Sequence, residues 1–395
     1  MLSQKRGDME NYNVGDLVSE FLYHMDVKDV FGVVSVHNIP MLDAIGRRNF
    51  IKMVPARGEM GAGHMADGYA RATNGLGVVF TSTGPGAANV AGSLVESRFA
   101  GSPILHFTGQ TATENLDKNQ GTVHDVPDQL GMLKSISKKA IRISHADEAL
   151  AQLIEATTIA LTPPMGPVSV EIPIDIQRTN IKRPLMLDQI KLPNINLQIG
   201  DTSSLDQIES IIRVSKRKIL WVGNGGKFAR NEVEQFIKMG FSVVTSALGR
   251  GVVPESNQMS LGAFNAVPLI EEFYKTLDLM IVVGSRLRGH ETRDMSLKLP
   301  HKIIQIDIDP DAENRTYKTN LFHCGDAKKV LGELAHRLSN QLSTDEEWVN
   351  EVADLKIKIF QDYKKNLGAY KDFPEIIRKI LPEDGNWVRD ITISN

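Results

Sequence analysis

The sequence predicts an α/β chain of parallel, helix-flanked sheets, and three observations carry that prediction. Short apolar runs recur along the chain, each followed by a stretch whose apolar residues fall at helical spacing. Glycine and proline punctuate the junctions. The alternation occurs twice, on either side of an irregular passage at residues 181–203, so two layered domains are expected.

In the first half, residues 13–27 read as a helix, 30–34 as a buried strand, 39–45 as a helix and 51–54 as a strand. Residues 60–73 then read as a helix, 78–81 as a strand, 87–100 as a helix and 104–107 as a strand. A proline-rich passage surrounds a further strand at 168–172. In the second half, strands are expected at 219–223, 242–246, 279–284 and 302–309, with helices at 231–239 and from Ala327 onward. Charged helices at 352–365 and 373–380 follow, and 386–393 reads as the beginning of another strand.

At 395 residues and 43.7 kDa the chain has room for two or three domains of about 150 residues. With 42% hydrophobic and 24% charged residues it can build and cover a core, which excludes general disorder. Forty-five basic against forty-eight acidic residues, a formal charge of -3, give no electrostatic case for a nucleic-acid partner. A single cysteine, Cys324, excludes an internal disulfide framework and suits a reducing compartment. The opening MLSQKRGDMENY lacks the apolar core of a secretory signal, and no apolar run is long enough to span a bilayer. The expected location is the cytoplasm, with no membrane partner.

Two passages carry the chemistry. In VPARGEMGAGHMADGYARATNG, from Val54 to Gly75, Glu59 follows a strand and opens a helix rich in small residues. A carboxylate there can approach a heteroaromatic ligand. TSTGPGAANVAGSL adds a glycine–proline turn, Gly84, Pro85 and Gly86, with Asn89 just beyond. Neither matches the dinucleotide fingerprint or the P-loop, and each alone reads equally well as a tight α/β connection. No HExxH or compact cysteine/histidine set is present, and Asp307, Asp309 and Asp311 lie in a strand-and-turn passage without a full calcium loop. No protein metal site is expected.

Taken together, these passages resemble the thiamine-diphosphate-dependent family that contains acetolactate synthase, benzoylformate decarboxylase and related 2-oxo-acid enzymes. The resemblance runs through FGVVSVHNIPMLDAI, the Glu59 passage, STGPGAANVAGSL and SPILHFTGQTATEN. It continues through ILWVGNGGKFARNEVEQF, VVTSALGRGVVPESN, DLMIVVGSRL, IIQIDIDP and HCGDAKKVL, in the same order. It implies an N-terminal tail at 1–12, a pyrimidine-binding domain at 13–180, a linker at 181–203 and a central Rossmann-like domain at 204–340. Connecting helices at 341–380 would then lead into a diphosphate-binding domain, of which 381–395 would be the truncated entry.

The resemblance gives Glu59 the decisive role. The corresponding glutamate hydrogen-bonds N1' of the cofactor's aminopyrimidine and favours the imino tautomer, which takes the C2 proton of the thiazolium. The ylide so formed attacks a 2-oxo acid, and the ring holds the electron pair after carbon dioxide leaves. Gln110 matches an active-site glutamine that orients an intermediate, with a strand-end cap as its plain alternative. Gly84, Pro85, Gly86 and Asn89 would shape the pyrimidine pocket. His124 lies in a segment resembling a loop that approaches the active site, where it is a candidate proton carrier or a surface histidine. Ser35 and His37, in the early turn, are candidate substrate contacts. His64 reads as a packing or interface residue. Val34 and Ser35 replace a proline–glycine pair common in acetolactate synthases, and Met60 replaces a glutamine, which leaves the substrate open.

Thiamine diphosphate and Mg²⁺ are thus the implied cofactors of the complete enzyme. FAD is a candidate for the central domain through Gly223, Gly225, Gly226, Arg286 and Arg288, against simple packing. The implied partners are a second copy in a homodimer or homotetramer, or a separate subunit bearing the diphosphate domain. The expected activity is decarboxylation or carboligation of a 2-oxo acid, as a lyase or transferase, in the complemented protein rather than this chain alone. The alternative is a noncatalytic regulatory or structural homologue.

Overall fold

Parallel strands need crossover connections, and the helical stretches between the apolar runs supply them. The computed structural model describes residues 11–118, 120–339 and 344–387, arranged in two units that divide between Asn196 and Leu197.

The first unit holds strands β1 (Asp29–Gly32), β2 (Lys52–Pro55), β3 (Gly77–Thr81), β4 (Ile104–Gln110), β5 (Lys139–Arg142) and β6 (Val168–Pro173). Its helices are α1 (Val14–His24), α2 (Ile39–Arg48), α3 (Glu59–Thr73), α4 (Pro85–Asn89), α5 (Ala91–Ala100), α6 (Gln129–Ile136), α7 (Ala149–Leu161) and α8 (Ile174–Arg178). The strand order is β2-β1-β3-β4-β6-β5, with every pairing parallel. Strands β3, β4 and β6 are buried along their whole length, as central parallel strands with both faces covered must be. On one face Phe80 and Phe107 stack at 5.0 Å among Phe21, Leu22, Leu153 and Ala156. On the other, Ala62, Ala66 and Ala70 of α3 pack with Phe31, Val79 and Leu94. Small residues on that helix let it lie close to the sheet.

The second unit contains β7 (Lys218–Val222), β8 (Phe241–Thr245), β9 (Leu279–Val283), β10 (Ile303–Asp307) and β11 (Leu321–Cys324), in the parallel order β11-β10-β9-β7-β8. Around them lie α9 (Thr202–Val214), α10 (Arg230–Lys238), α11 (Pro268–Tyr274), α12 (Ala327–Leu338), α13 (Glu346–Asn366) and α14 (Phe373–Ile380). Helix α13 is fastened to this unit by Trp348, which stacks on Phe273 at 5.5 Å and donates its indole N–H to Gly240 O at 2.9 Å. The Arg217 guanidinium covers the same indole at 4.5 Å.

Several elements depart from the sequence reading. The short edge strands β5 and β11 escape it because four residues with polar ends carry too little apolar signal. Helices α6, α7 and α11 escape it as well. The helix expected over 87–100 is two helices, α4 and α5, meeting at Val90. Within the passage expected as a linker, Leu187 is fully buried in the first core, and α9 already begins at Thr202. The strand expected at 386–393 lies almost wholly outside the described residues.

In both sheets the chain reverses its direction of travel between two neighbouring strands, β1 and β3 in the first unit and β7 and β9 in the second. In open α/β sheets the carboxyl ends beside such a pair are where ligand crevices form.

One core group gives a stability signature. His106 on β4 is fully buried, with Nε2 2.9 Å from Thr81 Oγ1 and Nδ1 2.9 Å from Ser169 Oγ. Burial pushes its pKa down to about 3, so the folded chain holds it neutral. Its contribution is complete above the unfolded value of about 6.5 and is lost as pH falls toward the folded one. Urea denaturation should therefore show a His106-dependent loss of about 3 kcal/mol between pH 7 and pH 4, removed in His106→Gln. Equal pH dependence in the two proteins would contradict it.

Candidate functional site

The crevice of the first unit is built from the residues that follow β1, β2, β3 and β4. After β1 the chain turns through Ser35 to Asn38, and Asn38 holds the turn. Its Oδ1 accepts from Ser35 N at 2.9 Å, and its Nδ2 donates to Val33 O at 3.0 Å and Thr81 O at 3.1 Å. The β1 turn is thus fastened to the end of β3, where Ser35 Oγ and Ser82 Oγ lie 2.6 Å apart.

After β2, Glu59 is the first residue of α3, so its carboxylate sits at the positive end of the helix. It is only 9% exposed. Asn89 Nδ2 donates to Glu59 Oε2 at 3.2 Å, whereas no hydrogen bond to Oε1 is formed among the described residues. Gly86 packs directly against that oxygen: a Cβ there would stand 2.9 Å from Glu59 Oε1 and 2.7 Å from Ser82 Cβ, closer than either allows. A carboxylate with one oxygen held and one unspent fits the protonated ring nitrogen of an aminopyrimidine. Of the other glycines near Glu59, Gly63 packs against Ser93, while a Cβ on Gly58 or Gly61 would meet nothing within 4 Å. Met60 and His64, on the same helix, are exposed.

After β3, Gly84 adopts φ +52° and ψ -111°, a conformation that L side chains rarely take. Pro85 opens α4 with its fixed φ. Beneath the turn lies a polar cluster. Thr83 Oγ1 is within hydrogen-bond distance of Gln110 Oε1 (3.0 Å) and Gln129 Oε1 (2.9 Å), and Gln129 Oε1 accepts from Gly84 N at 2.5 Å. Gln110 Oε1 also accepts from Thr111 N at 2.7 Å, and Gln110 Nε2 donates to Glu171 Oε2 at 3.4 Å. Gln110 is therefore 5% exposed and bound at both ends of its amide within the chain.

The histidines stand at the outer edge. His37 and His124 meet edge to face with ring centroids 5.8 Å apart. His37 is buried, its Nδ1 has no partner among the described residues, and burial together with the neighbouring His124 lowers its pKa. His124 is exposed, has φ +67°, and turns its carbonyl against Gly84.

The segment 82–89 therefore links the residues singled out in the sequence. Ser82 meets Ser35, Thr83 meets Gln110, Gly84 meets His124, and Gly86 and Asn89 meet Glu59. Sequence reasoning missed Asn38, Gln129, Arg142 and Glu171. Glu171 left a signal, a lone carboxylate inside the apolar strand VSVEIP, which needs a buried partner.

In the second unit, Gly223 and Gly225 press against the backbone of Gly284, where the connections after β7 and β9 cross. Their small size is already used by chain packing. Arg286 is partly buried, which lowers its pKa, against the opposing pull of Asp307.

Comparison with known proteins adds sequence relationships. Residues 12–132 match the thiamine pyrophosphate enzyme N-terminal TPP binding domain, and residues 205–334 match the thiamine pyrophosphate enzyme central domain. The chain belongs to the thiamine pyrophosphate enzyme family. It is 28% identical over 363 residues to the acetolactate synthase large subunit of Corynebacterium glutamicum, covering 88% of this chain and 56% of that protein. To the mitochondrial acetolactate synthase catalytic subunit of Saccharomyces cerevisiae it is 25% identical over 395 residues, covering 94% of this chain and 57% of that one. A probable 2-ketoarginine decarboxylase of Pseudomonas aeruginosa is 27% identical over 381 residues, covering 96% and 67%. The chain thus spans little more than half the length of the first two of these family members.

Two glycine substitutions test the geometry. Gly84→Ala places a Cβ against His124 O on a strained backbone and should lower unfolding stability by more than about 2 kcal/mol. Gly61→Ala, inside α3 with open space around it, should raise stability by roughly 0.5–1 kcal/mol. Equilibrium denaturation measures both, and a neutral Gly84→Ala would contradict the turn assignment.

Proposed function

We propose that this chain supplies the aminopyrimidine half of a thiamine-diphosphate site, in a protein that decarboxylates or carboligates a 2-oxo acid. The observation that carries this reading is Glu59: buried at a helix N-terminus, one oxygen held by Asn89 and the other accepting no hydrogen bond among the described residues. Thiamine diphosphate supplies the thiazolium that stabilises the carbanion left by loss of carbon dioxide.

In this reading Glu59 Oε1 holds the proton at the pyrimidine ring nitrogen, and Asn89 keeps the carboxylate aimed. Gly84, Pro85 and Gly86 would shape the wall of the pyrimidine pocket. Ser35 and Ser82 form a hydroxyl pair able to donate to a substrate carboxylate. His37 and His124, at the edge of the same crevice, are the groups able to move a proton to or from substrate. Gln110 acts from below, since its amide is engaged by Thr83, Thr111 and Glu171. The diphosphate and its Mg²⁺ are assigned to a further domain, in the same polypeptide or in a partner subunit. A site shared in this way calls for a dimer or tetramer.

Calorimetric titration of thiamine diphosphate into this chain, with and without Mg²⁺, tests the assignment. The expected result is weak binding that Mg²⁺ hardly changes and that Glu59→Gln weakens by about tenfold or more, equivalent to about 1.4 kcal/mol. Tight, Mg²⁺-dependent binding would overturn the placement of the diphosphate half elsewhere. Binding indifferent to Glu59→Gln would overturn the role given to that carboxylate.

A further inference from the structure

Glu171 lies on β6 with its side chain wholly buried, directly opposite Thr108 of β4 and Arg142 of β5 in the sheet register. A carboxylate in that place is costly: desolvation raises its pKa, and the Arg142 guanidinium, bonded to Oε1, pulls it back. An apolar residue would fill the strand without that cost, so the retained carboxylate calls for a use.

Its other oxygen shows one. Glu171 Oε2 accepts from Gln129 Nε2 at 2.7 Å and from Gln110 Nε2 at 3.4 Å. A glutamine amide has nearly the same shape whichever way it faces, and an ionised carboxylate only accepts, so Glu171 dictates that both NH₂ groups face it. Both carbonyl oxygens then face Thr83, and that of Gln129 receives the Gly84 N–H. Gln129 Nε2 also donates to Gly109 O at 3.2 Å, which completes its hydrogen bonding. A reversed Gln129 amide would set donor against donor at Gly84. On the outer side, Arg142 Nη1 reaches Asp117 Oδ2 at 2.7 Å, in the segment that carries His124.

We propose that Glu171 and Arg142 are the positioning pair of this site: Glu171 fixes both glutamine amides and, through Gln129, the Gly84 turn, while Arg142 ties the 111–128 segment to the same anchor. The proposal deepens the cofactor-site reading and rests on it, because the turn so held is the one beside Glu59. It differs from a purely structural ion pair in where its loss is felt.

Hydrogen–deuterium exchange on the full chain, read by peptide, tests it without any ligand. Glu171→Leu should speed exchange in 82–90 and 111–128 by about tenfold or more, with α1 changed by less than about twofold. Asp117→Asn should speed exchange in 111–128 alone. Glu171→Gln, which leaves Arg142 facing an amide, should expose both segments. Adding Arg142→Met to Glu171→Gln removes the guanidinium donor that would face the amide NH₂, while the new amide oxygen still accepts from the two glutamines. That double variant should restore protection in 82–90. Unchanged protection of 82–90 in Glu171→Leu, or a rise shared equally by α1, overturns the proposal. Should Glu171→Leu fail to fold, equal protection of 82–90 in Glu171→Gln and the double variant overturns it instead. Thiamine diphosphate binding indifferent to Glu59→Gln would sink the cofactor-site reading and leave the exchange result standing.

Discussion

The candidate site depends on one backbone constraint, the turn that follows β3. Gly84 can hold φ +52° and ψ -111° only because it has no side chain, and His124 O occupies the place a Cβ would take. With that conformation fixed, Thr83 points down to the two glutamines, Gly86 comes up beside Glu59, and Pro85 starts a helix that ends at Asn89. Each of these placements follows from the direction in which the chain leaves β3. A turn of another shape would separate Glu59 from Asn89, and Ser82 from Ser35.

The fold keeps such a turn by dividing its labour. The first sheet draws its energy from burial around Phe80, Phe107 and the alanines of α3, with His106 hydrogen-bonded to Thr81 and Ser169 among them. Polar groups gather toward the carboxyl ends of the strands, where the chain leaves the sheet. Asn38, Thr83, Gln110 and Gln129 spend their hydrogen bonds inside the protein, so the groups above them need little reorganisation to meet a ligand. His37 Nδ1 and Glu59 Oε1 stand apart from this pattern. Neither has a partner within the described chain, and both lie in the crevice region. The second unit repeats the reversal of strand order, yet its glycines close on Gly284 and pack the connections together. In both units the connections that leave the reversal touch, through Ser35 and Ser82 in the first and through these glycines in the second.

Much of this was legible from the sequence. Strands β3, β4, β6, β7 and β9 announce themselves because burial on both faces calls for mostly apolar runs. Glu59 and the Gly84–Pro85–Gly86 turn were equally plain, since a carboxylate at a strand–helix junction and a glycine–proline pair are local patterns. The edge strands β5 and β11 were not, because a four-residue strand draws its stability from one neighbour rather than from its own composition.

The sequence by itself determined the α/β class, the repetition of the pattern in two units, and the places of Glu59 and the turn at the ends of their strands. These depend on periodicity and on residues close together in the chain. Only the tertiary structure decided that Gln110, read as a residue orienting an intermediate or capping its strand, is engaged by Thr83 and Glu171. It alone placed Gln129, Glu171 and Arg142 beneath the same turn, and set the ring of His37 against that of His124. Those partners are separated by tens of residues, from Thr83 through Gln129 to Glu171. The parallel crossovers bring them to one end of the sheet, and no local pattern records which distant side chains will meet there.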